Sequence, residues 1–511
     1  MTRITAVILM LTGFIFFSCS NNSTKSKDDP EISDDTTDIA TDENTDETDD
    51  DFSDEVLAES EENDFDTVEP QQLQTGGIVV YDDGGSTNPE GHTLLGQGGF
   101  FGYSVFRLNE EFWAVSAIHE SVPPYDFEKA TGALYYMGLI KLVPGIQLSY
   151  FRKITHPEHK INVGFGFAVT KACDINNDGY EDLAVSSHLA NYGDLYAAGE
   201  VVVFYGEDGN YGWGDDNSFG SLEKTSISRV SDGLIQKADS MSQSLVCGDI
   251  DGDGFADVLA GGQNAGPELS GGGSQGMVVF FKGSSDGLEK NESWTLLPEV
   301  EEKAQYFGSS MILEDINGDE IQDLIVSGWG LKETTESDNT GGVYIYHGGT
   351  DWQNGPTLKV FGTKGSQFGS VIKLVKIGDQ KLLGVIAPNE DKNGTIYFYD
   401  PATMTEKFTV KVPSTLNMGE SGGFSDFDTI RDKDGNFILV AGGKYFKDGG
   451  RILCAKITSE SVEELVECPW QPETTAGGFG SSVKNVGAID SADDRDDLII
   501  GMPEYIHTVT D

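Results

Sequence analysis

Two short patterns of apolar and polar positions recur from about residue 76 to the end of the chain. The first is a glycine followed by a run of β-branched and aromatic residues. It occurs as Gly77-Ile-Val-Val-Tyr81, Gly132-Ala-Leu-Tyr-Tyr-Met137, Gly199-Glu-Val-Val-Val-Phe-Tyr-Gly206 and Gly276-Met-Val-Val-Phe-Phe-Lys-Gly283. It returns as Gly342-Val-Tyr-Ile-Tyr346, Gly394-Thr-Ile-Tyr-Phe-Tyr399 and Gly450-Arg-Ile-Leu-Cys454. Such runs suit a pleated surface and predict strands. The second pattern is Phe-Gly followed by small or β-branched residues, at Phe101, Phe165, Phe307, Phe368 and Phe479, with degenerate copies at Ser240-Met241 and Gly423-Phe424. After it come a loop and a further apolar strand, such as Leu183-Ala-Val185, Val258-Leu-Ala260, Leu324-Ile-Val326 or Leu498-Ile-Ile500.

Each pattern occurs seven times, the second at spacings of roughly 55 to 75 residues. Repeats of this length without helical periodicity predict four-stranded propeller blades. The expected fold is all-β, a seven-bladed β-propeller. The phase of the patterns adds a closure. Gly77 precedes the first Phe-Gly, whereas the Phe-Gly at 479 has no glycine strand after it. Residues 76–96 are therefore expected to complete the blade begun by 476–503, which removes exposed sheet edges. Two unrelated β-sandwiches are the competing reading.

Composition agrees with this picture. The chain has 511 residues, 38% of them hydrophobic, with 64 Gly and 28 Phe. Its formal net charge of −53 excludes nucleic acid, which needs clustered Lys and Arg. The same charge opposes adsorption to anionic lipid and favours cations.

The N-terminus reads as targeting rather than fold. Arg3 precedes an apolar run from Ile4 to Phe17, too short for a comfortable membrane span. The run ends at Phe16-Phe17-Ser18-Cys19, which resembles a bacterial lipobox with Phe16 in place of the usual Leu. Residues 1–18 are expected to be a lipoprotein signal peptide and Cys19 the lipidated first residue; an ordinary cleaved signal is the alternative. Ser20 in place of Asp favours the outer membrane over the inner. Residues 20–70 hold 21 Asp or Glu against Lys25 and Lys27. With almost nothing apolar to bury, 19–75 is expected to be a disordered acidic tether. Four cysteines remain. Cys454 and Cys468 flank a short polar loop and are expected to form a disulfide. Cys173 and Cys247 are expected to be buried free thiols.

Three repeats carry an acidic loop of one pattern. They are Asp174-Ile-Asn176-Asn-Asp178-Gly179-Tyr180-Glu-Asp182, Asp249-Ile-Asp251-Gly-Asp253-Gly254-Phe255-Ala-Asp257 and Asp315-Ile-Asn317-Gly-Asp319-Glu320-Ile321-Gln-Asp323. Oxygen donors stand at positions 1, 3, 5 and 9, with the backbone carbonyl of position 7 (Tyr180, Phe255, Ile321) completing the set. Calcium takes six to eight such oxygens. Glycine at position 6 allows φ > 0; Glu320 breaks that rule in the third loop. Position 12 is Val185, Ala260 or Val326, not the glutamate of an EF-hand. About three structural Ca2+ ions are expected, with solvated turns as the alternative. A fourth copy, Ser491 to Asp497, has Ile489 where the first ligand belongs and is read as vestigial.

The Phe-Gly start, the D-x-[DN]-x-D-G-x-x-D loop and Gly501-Met502-Pro503 resemble the FG-GAP repeats of integrin α subunits over roughly 76–511. The resemblance implies a seven-bladed propeller with calcium in the loops of some blades, on the face away from the ligand. Here the loops fall in repeats two, three and four, earlier than in integrins.

No H-E-x-x-H, G-x-S-x-G or P-loop is present, so neither catalysis nor nucleotide binding is expected. His156-Pro157-Glu158-His159 reads as a solvated loop. The expected function is an exported, lipid-anchored cell-surface module for binding or adhesion to a protein or glycan. A propeller-based carbohydrate-active enzyme and a structural envelope protein are the alternatives. Tyr211-Gly-Trp213 and Trp329 are candidate contacts, each competing with plain blade packing.

Overall fold

In the computed structural model the chain divides into two units, 1–67 and 68–511. The structure describes residues 73–74, 77–82, 90–95, 99–108, 112–119, 132–141, 146–158, 163–206, 225–230, 239–267, 269, 274–335, 337–419, 422–432, 434–469, 471, 478–487, 497–503 and 506–507. Cys19, the acidic segment 20–70, Tyr211, Trp213, His159 and the vestigial loop up to Asp496 lie outside them.

Among the described residues every regular element is a strand, apart from two 3-10 turns at Trp352–Asn354 and Phe446–Asp448. Seven four-stranded antiparallel sheets result. Six are each one continuous stretch of chain. The first runs from Gly99–Arg107 to Ile146–Ile154. The second comprises Phe165–Val169, Leu183–Ser187, Glu200–Phe204 and Thr225–Ser228, and the third Ser244–Gly248, Asp257–Gly262, Met277–Phe281 and Trp294–Leu296. The fourth comprises Ser310–Glu314, Asp323–Gly328, Gly342–Tyr346 and Leu358–Phe361. The fifth runs from Val371–Ile377 to Thr405–Lys411, and the sixth from Asp426–Arg431 to Val466–Glu467. The seventh is composite. Val483–Gly487 and Asp497–Met502 pair onward with Gly77–Asp82 and Glu90–Leu95, in the register Ile78↔Gly501 and Val79↔Ile500. This is the junction expected from the phase of the repeats. Leu73–Gln74 also pairs with Ile506–His507.

The first strands of the sheets touch in succession, each meeting the next, and Val483–Gly487 returns to Gly99–Arg107. The body is an all-β propeller. Because each sheet lies between two others, both of its faces are buried, and central strands are continuous apolar runs. In Glu200–Phe204, Val202 and Phe204 pack toward the first sheet while Val201 and Val203 pack toward the third. The period-2 alternation of side chains assigns the two sets.

The two sequence patterns meet between neighbouring sheets. The glycine that opens a third strand lies against the buried phenylalanine that opens the next sheet. Isolated parallel bridges join Gly276 to Phe307, Gly341 to Phe368 and Gly450 to Phe479. A Cβ on Gly276 would stand 2.3 Å from the Phe307 nitrogen, and one on Gly341 would stand 2.1 Å from the Phe368 oxygen. Glycine is required there by close backbone approach as well as by φ of +87° and +79°.

Two expectations are corrected. Cys173 and Cys247 are not free thiols. They form a disulfide with Cα atoms 6.5 Å apart, joining the second and third sheets. Their separation of 74 residues hid a proximity that exists only once neighbouring sheets pack. His156 is not solvated. It is fully buried, with Nε2 2.7 Å from Oε1 of buried Glu200 and Nδ1 accepting the Glu158 N–H. Arg229 donates to the second oxygen of Glu200 at 2.8 Å. A second disulfide joins Cys454 and Cys468, with Cα atoms 5.1 Å apart.

Candidate metal centre

Each acidic loop joins the first and second strands of its sheet, so all three sit at the same end of successive sheets. In the first loop Asp174 occupies position 1. Its carboxylate accepts the backbone N–H groups of Asp178 at 3.1 Å and Gly179 at 2.9 Å. Asp249 accepts those of Gly252 and Gly254 at 2.8 and 3.0 Å. Asp315 accepts those of Gly318 and Glu320 at 2.7 and 3.0 Å, and these N–H groups hold its carboxyl below the usual range. The position-5 residues Asp178, Asp253 and Asp319 each accept the N–H of position 7, that is Tyr180, Phe255 and Ile321, at 2.9, 3.1 and 2.9 Å. The sequence reading placed φ > 0 at position 6 only. The structure has it at position 4 as well: Asn177, Gly252 and Gly318 have φ of 52°, 76° and 83°. At position 6, Glu320 adopts 68° where Gly179 and Gly254 adopt 91° and 92°. The third loop thus keeps the shape of the others without its glycine.

Position 9 has a second role that the sequence did not disclose. Asp182, Asp257 and Asp323 are fully buried. One oxygen of each accepts the N–H of position 2, Ile175, Ile250 or Ile316, at 2.7, 2.9 and 3.0 Å. The other accepts the N–H of a glycine just past the third strand: Gly206, Gly283 or Gly348, at 2.8, 2.9 and 2.7 Å. Burial pushes the carboxyls of Asp182 and Asp257 up to about 7 and about 6. The available signal was the Gly that ends the runs at 206 and 283.

The donor set fits a hard divalent cation. Oxygens of Asp249, Asp251 and Asp257 lie within 4.8 Å of one another, and carboxylates so close repel unless a cation lies among them. By homology of position the same donors are Asp174, Asn176, Asp178 and Asp182 in the first loop and Asp315, Asn317, Asp319 and Asp323 in the third. In the second loop, the ammonium of Lys282 pairs with Asp251 and, at 2.7 Å, with Asp253. The first two loops also touch: Ala256 N–H donates to the Asp174 carbonyl at 3.0 Å, and the Cys173–Cys247 bridge stands beside both.

Trp329 follows the second strand of the fourth sheet, at the end opposite Asp323. It is half-buried, stacked on Tyr306 with ring centroids 3.4 Å apart, and donates to Gln263 Oε1 at 3.0 Å. His156, Glu200 and Arg229 share that end of the second sheet.

The FG-GAP repeat profile matches residues 165–204 and 242–281, which span the first three strands of the second and third sheets with their acidic loops. Integrin alpha-PS5 of Drosophila melanogaster is 30% identical over 196 residues, covering 38% of this chain and 18% of that protein. Integrin alpha-7 of Mus musculus is 30% identical over 155 residues, 29% of this chain and 13% of that protein. The chain thus spans less than a fifth of these curated relatives. Among solved structures, the NanB sialidase from Streptococcus pneumoniae aligns with a TM-score of 0.38 and 10% identity over 80% of this chain and 68% of that one, a likeness too low to argue from. No helix of the described residues is long and apolar enough to cross a membrane. The chain carries FG-GAP repeats, and its body is an integrin-α-like β-propeller.

Proposed function

We propose that the protein is a calcium-binding, lipid-anchored cell-surface module with a closed seven-bladed propeller that binds a protein or glycan ligand. The observation that carries it is the recurrence of one loop geometry, with buried position-9 aspartates, in three successive sheets, the first two of which hold the segments that match FG-GAP. Calcium would be held by the carboxylates and amide oxygens of positions 1, 3, 5 and 9 and the carbonyls of Tyr180, Phe255 and Ile321. There it would neutralise three or four carboxylates and tie the first strand to the second. Its role is structural. Residues 1–18 are proposed as the signal peptide, Cys19 as the lipid attachment and 19–75 as the acidic tether. The outer membrane is the proposed location. The similarity to integrin α chains favours binding or adhesion over catalysis. Ligand contacts are assigned to the end of the sheets opposite the acidic loops, where Trp329 and Tyr306 stack.

The test is the thermal melt of the full chain in EDTA, in millimolar calcium and in millimolar magnesium. Calcium is expected to raise the melting temperature by several degrees and magnesium by less. No difference between calcium and EDTA would reject the calcium reading. Loss of membrane association in Cys19→Ala tests the anchor separately.

A further inference from the structure

The three loops differ in one chemical respect. Position 3 is an amide in the first and third, and that amide donates across the loop. Asn176 Nδ2 reaches Asp178 Oδ2 at 2.9 Å, and Asn317 Nδ2 reaches Asp319 Oδ2 at 3.0 Å. The second loop has Asp251 there, which carries no donor when ionised and adds a carboxylate. The same acceptor, Asp253 Oδ2, is instead met by Lys282 Nζ at 2.7 Å, and Nζ also holds Asp251. Lys282 immediately precedes Gly283, whose N–H caps Asp257. The corresponding residues before Gly206 and Gly348 are Tyr205 and His347, and Tyr205 turns its hydroxyl to Ser226 at 2.7 Å. An additional negative charge and a lysine poised to neutralise it therefore occur together in one loop.

We propose that Lys282 is a resident counter-cation of the second loop. It substitutes for the missing amide donor and must leave Asp251 and Asp253 before a divalent cation can take them. The inference rests on the calcium reading above. On carboxylate count alone the second loop, with four, would bind calcium more tightly than the others, with three. The ammonium reverses that order, so the second loop is the weakest of the three sites and stays folded when calcium is scarce. Lys282 lies at the surface, with its side chain 33% exposed, so replacing it leaves the core intact.

The experiment is calorimetric calcium titration of the full chain and its Lys282→Met and Lys282→Arg variants, with melts in EDTA and in saturating calcium. Wild type is expected to show two tighter ions and one weaker. K282M is expected to strengthen the weak one about tenfold, as loss of two partly exposed ion pairs implies, while K282R keeps it weak. The melting curves should cross: K282M lower than wild type in EDTA, where four carboxylates face one another, and higher in calcium. Adding Asp253→Ala to K282M should remove the strengthened site, which assigns it. Three equal sites in wild type, or an unchanged weak site in K282M, would overturn the proposal while leaving calcium binding intact. No calcium bound by either protein would overturn the calcium reading and this inference with it.

Discussion

Asp257 Oδ1 accepts the backbone N–H of Gly283 at 2.9 Å, across 26 residues of chain. Its other oxygen accepts Ile250 N–H, so one buried carboxylate ties the start of the acidic loop to the end of the third strand. Asp182 and Asp323 do the same in the flanking sheets. Position 9 is thus a structural residue in its own right, whatever the loop binds.

Asp257→Ala leaves two backbone N–H groups without acceptors. At about 1–3 kcal/mol for each, the loss of stability in EDTA should be about 2–6 kcal/mol, read by urea denaturation. Asp253→Ala, at an exposed position, should cost less than about 1 kcal/mol in EDTA and yet remove one calcium ion in a titration. Equal costs for the two variants in EDTA would refute this division between staple and ligand.

The glycines sort by what stands beside them. Gly276→Ala and Gly341→Ala drive a Cβ into the backbone of Phe307 and Phe368 and should cost well over about 2 kcal/mol. Gly318→Ala and Gly378→Ala meet nothing within 4 Å and should cost about 1–2 kcal/mol, the penalty of a left-handed residue alone. Thermal melts of the four variants test the ranking.

The two disulfides should differ in weight. In the chain-entropy account the 74-residue separation of Cys173 and Cys247 exceeds the 14 of Cys454 and Cys468, giving about 4 against about 3 kcal/mol. Non-reducing peptide mapping should recover both linkages, and a Cys173→Ser, Cys247→Ser pair should lower the denaturation midpoint more than the matching change at 454 and 468. A free thiol at Cys247 in the mapped protein would contradict the first bridge.

Much of this architecture is readable from residue order because propeller strands are local. Each four-stranded sheet but one is a single stretch, so strand, turn and strand follow in sequence, and Gly, Phe and the acidic positions mark them by period. The composite sheet was readable too, since a surplus glycine strand at Gly77 and a surplus Phe-Gly at 479 have one economical pairing. The spacing of Asp249, Asp251, Asp253 and Asp257 conveys an oxygen site because alternate residues of a tight loop turn to one side.

What the residue order determined is the local chemistry: seven strand patterns, three oxygen-rich loops, and the glycines that permit their turns. Packing between sheets decided the rest. The Cys173–Cys247 bridge, the burial of His156 against Glu200, the capping of Asp257 by Gly283 and the ion pair of Lys282 with Asp251 join residues separated by 74, 44, 26 and 31 positions respectively. The Asp–Gly pair alone recurs, at separations of 24, 26 and 25 in the three sheets; no periodicity connects the other pairs. They become neighbours only when a third strand folds back beside its own first loop, or when one sheet is laid against the next.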